Sequence, residues 1–450
     1  MRVGVAVTVL VSSSFLAACS DGGTSAGDGG TGGMPGSGGA AGTGAAGATG
    51  MGGSSSVGGA GGAGPGEPID LCAGLVQDKD ARPMTELAKP ALGEAVTDAE
   101  FGTTIRRITA VAPGGGNDPV IKPMYSTISA WNADESRLIL FSVAAGEHQL
   151  YDGKTYEFIE ALDISPADIE QVYWHTSEPD VLFYVDDKDF IRYHVGSGTK
   201  EVVTTFDFCS GGASAGSDPL FMSWDSNRIG LACDDQVFLY DIGQNTVLAR
   251  KALDENPAQV APSGTLAFLS DSGGVIDPQL NVVRTLDLLE PYGHASLSMV
   301  NGHDTWNGAV YDPGPGGNDD LGLLVTWDLA EGTSKVVIGP ETGWPYPPTG
   351  HISGMAYKQP GWVFVSSIGD ASGGGVLDME NLIADTSTGK VCRIGRHRSW
   401  GKENTHLAEP YWAEPHTVPS PSGTRAVFGS DWGNGDTVDA YVIELPSYEP

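Results

Sequence analysis

Beyond residue 115 the chain repeats one pattern: a turn rich in Gly, Asp, Asn or Pro, a short apolar run, a second turn, then an alternating run ending in an acidic residue. The apolar runs cover residues 138–142, 181–185, 229–232, 266–269, 309–311, 362–366 and 426–430. Runs of the alternating kind include Gln149-Leu150-Tyr151-Asp152 and residues 237–241, 324–328 and 440–444. Several turns share a signature, as in Asn132-Ala133-Asp134-Glu135, Pro262-Ser263-Gly264-Thr265 and Pro419-Ser420-Pro421-Ser422-Gly423-Thr424. No amphipathic helical period of ordinary length interrupts them.

A four-stranded sheet of this size cannot cover both of its own faces, so each copy needs neighbours on either side. Repeats of roughly 40–60 residues with about four strands apiece solve that problem by closing into a ring. The sequence therefore predicts an all-β, seven-bladed β-propeller over residues 116–446, preceded by a lead-in over residues 67–115. Residues 104–109 are expected to close the ring against the last strands. A β-sandwich, or two stacked β-domains, is the competing arrangement. The turn pattern resembles that of TolB-type propellers, a likeness that bears on fold rather than function.

The N-terminus predicts export. Arg2 precedes an uncharged apolar run, and residues 1–18 read as a signal peptide. That run is too short for a permanent span, which needs about 20 apolar residues. Leu16-Ala17-Ala18-Cys19 resembles the bacterial lipobox, which implies cleavage before Cys19 and lipidation of that cysteine. Ser20 follows, and in the enterobacterial sorting pattern this implies an outer-membrane lipoprotein of the cell envelope, facing the periplasm or the surface. Residues 19–66 are mostly Gly, Ala, Ser and Thr and read as a disordered tether. As a flexible coil it reaches roughly 35–40 Å. The membrane is thus an expected partner, through the lipid.

With 24 Lys+Arg against 57 Asp+Glu, the formal charge is −33, which argues against nucleic acid as a partner. The chain is read as a monomer. Four cysteines remain after Cys19, and in an exported protein they are expected to form disulfides. Cys209 and Cys233 are nearest in sequence, which leaves Cys72 with Cys392.

Histidines carry the chemical signal, six of the nine falling between residues 294 and 416. His351 stands eleven residues before Trp362 and His416 eleven before Val427, which places both at the start of an innermost strand, facing the central channel. Glu414 is two residues from His416, on the same face if the chain is extended, and His406 lies just upstream. Imidazoles with a carboxylate suit Mn²⁺, Zn²⁺ or Ca²⁺. Inner-strand histidines in propellers also hydrogen-bond one blade to the next, and this is the competing reading. Arg393, Arg396, His397, Arg398 and Lys402 form a basic stretch that could hold an anionic substrate, or equally pair with surface carboxylates.

These positions resemble the site of oligogalacturonate lyases, seven-bladed propellers that hold manganese with one histidine from one blade and a Gln-x-x-His-x-His group from the next. His351 resembles the lone histidine, and Tyr411-x-x-Glu414-x-His416 the group, with only His416 retaining its residue type. The resemblance implies a metal-assisted β-elimination on an anionic oligosaccharide, and a catalytic base at His303 or His294. The other function class is a propeller that binds a glycan or a protein without catalysis.

Overall fold

The computed structural model describes residues 69–449, apart from 114–115, 217–221, 253–254, 287–293 and 312–320. The expected signal peptide, the expected lipidation site Cys19 and the expected tether lie outside the described residues.

Seven antiparallel sheets are arranged as the blades of a propeller. In blade one, strands Ile121–Lys122, Arg137–Ser142, Glu147–Asp152 and Phe158–Ala161 run in order from channel to rim. Blades two, four, five and six repeat that order with four strands each. Blade three has three strands, and a single bridge between Ser214 and Ala232 stands in for its innermost strand among the described residues. Second strands are apolar on both faces because a neighbouring blade covers each face; all six residues of Trp362–Ser367 are buried. Rim strands such as Phe158–Ala161 lack that cover and are exposed throughout.

Blade seven closes the ring. Its strands Val418–Pro419, Arg425–Ser430 and Asp439–Glu444 are extended by Thr104–Arg107 and then Ala95–Thr97. Thr104 lies opposite Glu444 and Arg107 opposite Tyr441. The backbone N–H of Ala440 donates to Thr109 Oγ1 at 2.8 Å, so the closing contact runs to the end of the expected segment. Cys72 is bonded to Cys392 across 320 residues, fastening the lead-in to blade six, and Cys209 is bonded to Cys233 within blades two and three.

Blade five departs from the apolar pattern. The run at 309–311 is only the end of an eight-residue strand, His303–Val310, whose earlier part is polar in sequence yet buried. Asn307 explains the burial. Its Nδ2 donates to Ser296 O and Ser298 Oγ, and its Oδ1 accepts from Thr326 Oγ1 at 2.9 Å. A polar row that is fully bonded can be buried as cheaply as an apolar one.

Candidate metal centre

Blades six and seven deliver the site. His351 lies on the inner strand Gly350–Ser353, opposite Ser366. A side chain at Gly350 would place its Cβ 2.7 Å from the Ser366 carbonyl, so glycine is needed for that close approach. In blade seven a 3₁₀ turn, Pro410–Ala413, ends at Glu414, whose N–H donates to Tyr411 O at 2.9 Å. Pro415 O then accepts from Gly429, and His416 follows with φ +43°. The step from Glu414 to His416 is therefore not the regular extended one expected from the sequence. A left-handed histidine costs of order 1–3 kcal/mol and persists only where its surroundings fix it.

The result is a buried triad. Glu414 Oε2 lies 3.4 Å from His351 Nε2 and 3.5 Å from His416 Nε2. One ligand atom from each of the three residues falls within 4.8 Å of the others. His351 and His416 are 0% exposed and Glu414 1%. Both nitrogens of His351, Nε2 of His416 and Oε1 of Glu414 make no hydrogen bond. Buried polar atoms are rarely left so. One such ligand atom from each imidazole, with the Glu414 carboxylate beside them, fits a cation, which neutral imidazoles and an ionised carboxylate would hold.

The electrostatics favour that protonation state. Burial drives the His351 imidazole well below its ordinary range, aided by His294 and His416. Burial, with the Lys122 ammonium, takes His416 down to about 3. Burial pushes Glu414 up, but His416, His294 and Lys402 outweigh it and the net shift is downward.

Other blades complete the surroundings. Lys122, on the inner strand of blade one, is buried 3.1 Å from His416 Nδ1 and donates to the Glu414 carbonyl. Burial lowers its pKa to about 7, with Glu414 opposing. Tyr125 packs edge-on against both histidines, at centroid distances of 5.6 Å from His351 and 4.8 Å from His416. Neither Lys122 nor Tyr125 was singled out from sequence. Ring closure alone makes blade one the neighbour of blade seven, and this is the signal that could have found them. Tyr411 stands 5.2 Å from the His416 ring, in aromatic contact.

His294, from blade five, stacks on His351 and is half-buried. Its Nδ1 lies 2.8 Å from the Gly350 carbonyl. A carbonyl can only accept, so Nδ1 carries a proton, and in the neutral imidazole Nε2 is left as the acceptor. Lys402 Nζ is 3.9 Å from Glu414 Oε1, on a side chain 49% exposed. His294 and Lys402 thus mark the solvent side of the triad.

The remaining expected residues lie elsewhere. His303 is at the far end of the blade-five hairpin, opposite Val300, with Nδ1 2.7 Å from Asp328 Oδ2. It belongs to a separate, more exposed group with Asp328 and Glu331. His406 is exposed on the loop before blade seven and is not among the converging ligands.

Within the basic stretch only Lys402 is exposed; the arginines and His397 are buried and bonded within the protein. Arg393 is fully buried and grips Glu380 with two bonds of 2.7 Å. Arg396 is equally buried, 3.7 Å from Glu380, and donates to the carbonyls of Asp378 and Arg82. Arg398 donates to Thr85 O at 2.7 Å and faces Glu100 at 3.5 Å. His397 is bonded to Ser367 O. The lead-in segment supplies partners to all three arginines, which the local sequence around residue 396 cannot reveal.

No family model matches the chain, and no curated protein matches it. Solved structures do. An oligogalacturonate lyase in complex with manganese superposes with a TM-score of 0.55 at 14% identity, covering 83% of this chain and 99% of that one. An oligogalacturonate lyase from Vibrio parahaemolyticus superposes with a TM-score of 0.57 at 13% identity, covering 79% of this chain and 96% of that one. At such identities the likeness is one of architecture: the chain is a seven-bladed β-propeller of the shape found in oligogalacturonate lyases.

Proposed function

We propose that the protein is a lipid-anchored propeller of the cell envelope that loads one divalent cation, manganese, calcium or zinc, on His351, Glu414 and His416 and binds a uronate-bearing oligosaccharide there, cleaving it by β-elimination. One observation carries the reading: one ligand atom from each of those three buried residues converges within 4.8 Å, and Nε2 of neither histidine makes a hydrogen bond. A cation bound there would draw charge from the uronate carboxylate and acidify the neighbouring C–H. Nε2 of His294 accepts that proton, a C=C bond forms between the two carbons as the glycosidic C–O bond on the next carbon breaks, and the departing oxygen takes a proton from solvent water. The Lys402 ammonium faces the anionic substrate from the solvent side, the one member of the basic stretch placed to do so.

The test is direct. Oligogalacturonate with Mn²⁺ should give new ultraviolet absorbance from the unsaturated product, and the His351→Ala/His416→Ala double variant should give none. Full absorbance yield in that variant refutes the reading. For the anchor, Cys19→Ala should release the protein from membranes; lipid labelling that persists in the variant contradicts it.

A second reading has its own support in the near-complete burial of the triad and in Tyr411, which stands where the resembled group carries glutamine. It makes the propeller a non-catalytic platform for a glycan or a protein. Saccharide binding without new absorbance in the unmutated protein would favour it.

A further inference from the structure

Two adjacent blades each carry a buried polar row across their three inner strands, and only one row is internally bonded. In blade five, Ser296, Asn307 and Thr326 lie opposite one another across three strands, and their side chains and backbone satisfy each other. In blade six the corresponding row is His351, Ser366 and Asn381. All three are 0% exposed. Asn381 Oδ1 accepts from Thr417 Oγ1 of blade seven at 2.7 Å. Yet His351 Nδ1, Ser366 Oγ and Asn381 Nδ2 make no hydrogen bond. Buried polar atoms are rarely left without a partner, and blade five shows how such a row is satisfied internally.

We infer that Ser366 is a positioning residue for His351: its Oγ accepts the hydrogen bond of Nδ1–H through one buried water, beside Asn381 on the next strand. The inference rests on the reading of His351 as a cation ligand. A ligating imidazole nearly always donates its other nitrogen to a fixed acceptor, which selects the tautomer and aims the ligating lone pair. Nε2 of His351 is the nitrogen aimed at Glu414. For Nε2 to bind a cation, Nδ1 must carry the proton, and directly opposite residues on paired strands have Cβ atoms about 4.5–5.5 Å apart. The Ser366 hydroxyl is the acceptor on that side of the strand. Asn381, across the next strand and tied by Thr417 to the residue following His416, then couples the two ligand-bearing blades.

Full-length protein with ¹⁵N-labelled histidine tests this without any metal. Two-bond ¹⁵N–¹H correlation, with His351 assigned by its loss in His351→Gln, should report the Nδ1–H tautomer. Ser366→Ala should shift it toward Nε2–H, and Ser366→Thr, which keeps the hydroxyl, should restore it. Thr326→Val in the blade-five row should lower thermal stability and leave the His351 tautomer unchanged. An Nε2–H tautomer in the unmutated protein, or no change in Ser366→Ala, overturns the proposal. Titration with Mn²⁺ alone gives the second readout: Ser366→Ala should weaken binding about 10–100-fold, with rescue by threonine. Unmutated protein that binds no Mn²⁺ but shows the Ser366-dependent tautomer removes the cation reading and leaves the positioning role standing.

Discussion

The imidazole of His294 lies flat against that of His351, with ring centroids 4.2 Å apart and planes 14° from parallel. The two rings do different work. Nε2 of His351 is turned to the triad, while the proton on Nδ1 of His294 is fixed on the Gly350 carbonyl and, in the neutral imidazole, its Nε2 is left as the acceptor. Exchanging His294 for alanine should lower elimination about 10²–10⁴-fold, the usual contribution of a positioned base, with Mn²⁺ still bound at full stoichiometry. His303→Ala, at the other end of the hairpin, should leave the rate unchanged. Equal rate losses in both variants, measured by initial absorbance slopes, would contradict these assignments.

The Arg393–Glu380 pair predicts a stability effect rather than a binding effect. Both side chains are 0% exposed and joined by two short bonds. Glu380→Gln leaves a buried guanidinium without its counter-charge, which should cost about 3–5 kcal/mol. Urea unfolding gives the value. Saccharide affinity should be unchanged once the variant is folded; a folded variant with lost affinity and unchanged stability would restore these arginines to the binding surface.

Acid should destabilise the propeller through neutral histidines. Burial takes both His148 and His397 from 6.5 down to about 4. The unfolded chain gains a proton on each near pH 6.5, the folded chain only near pH 4. Their contribution to stability is thus complete above pH 6.5 and is lost as pH falls toward 4. Asp98, raised to about 6 chiefly by burial, acts in the opposite sense, adding stability as pH falls through that value. His148→Gln should therefore flatten the slope of unfolding free energy between pH 6 and 5 by about 1.4 kcal/mol per pH unit. An unchanged slope refutes the assignment.

The ring of blades was legible because each second strand must be apolar on both faces, and that requirement repeats in sequence wherever two blades pack. Blade five shows the limit: Asn307 satisfies the same packing with hydrogen bonds, so a buried strand reads as a polar one. The pairing of His351 with His416 was legible for a related reason, since equal offsets from Trp362 and Val427 place them at matching depths. What closes around them was not. Lys122 and Tyr125 reach the triad from the far end of the chain. The arginines after residue 392 take partners from a lead-in some 300 residues earlier, as in the bond from Arg398 to Thr85. Contacts made by ring closure leave no local pattern.

The proposed activity depends on one divalent ion held by His351, Glu414 and His416. X-ray absorption at the manganese edge of Mn²⁺-loaded protein, with metal counted per chain, tests it most directly. The account predicts one ion per chain, a first shell containing two imidazoles and a carboxylate, and loss of the bound ion in the His351→Ala/His416→Ala variant. Substoichiometric metal, a shell without imidazole, or full occupancy in that variant would contradict it.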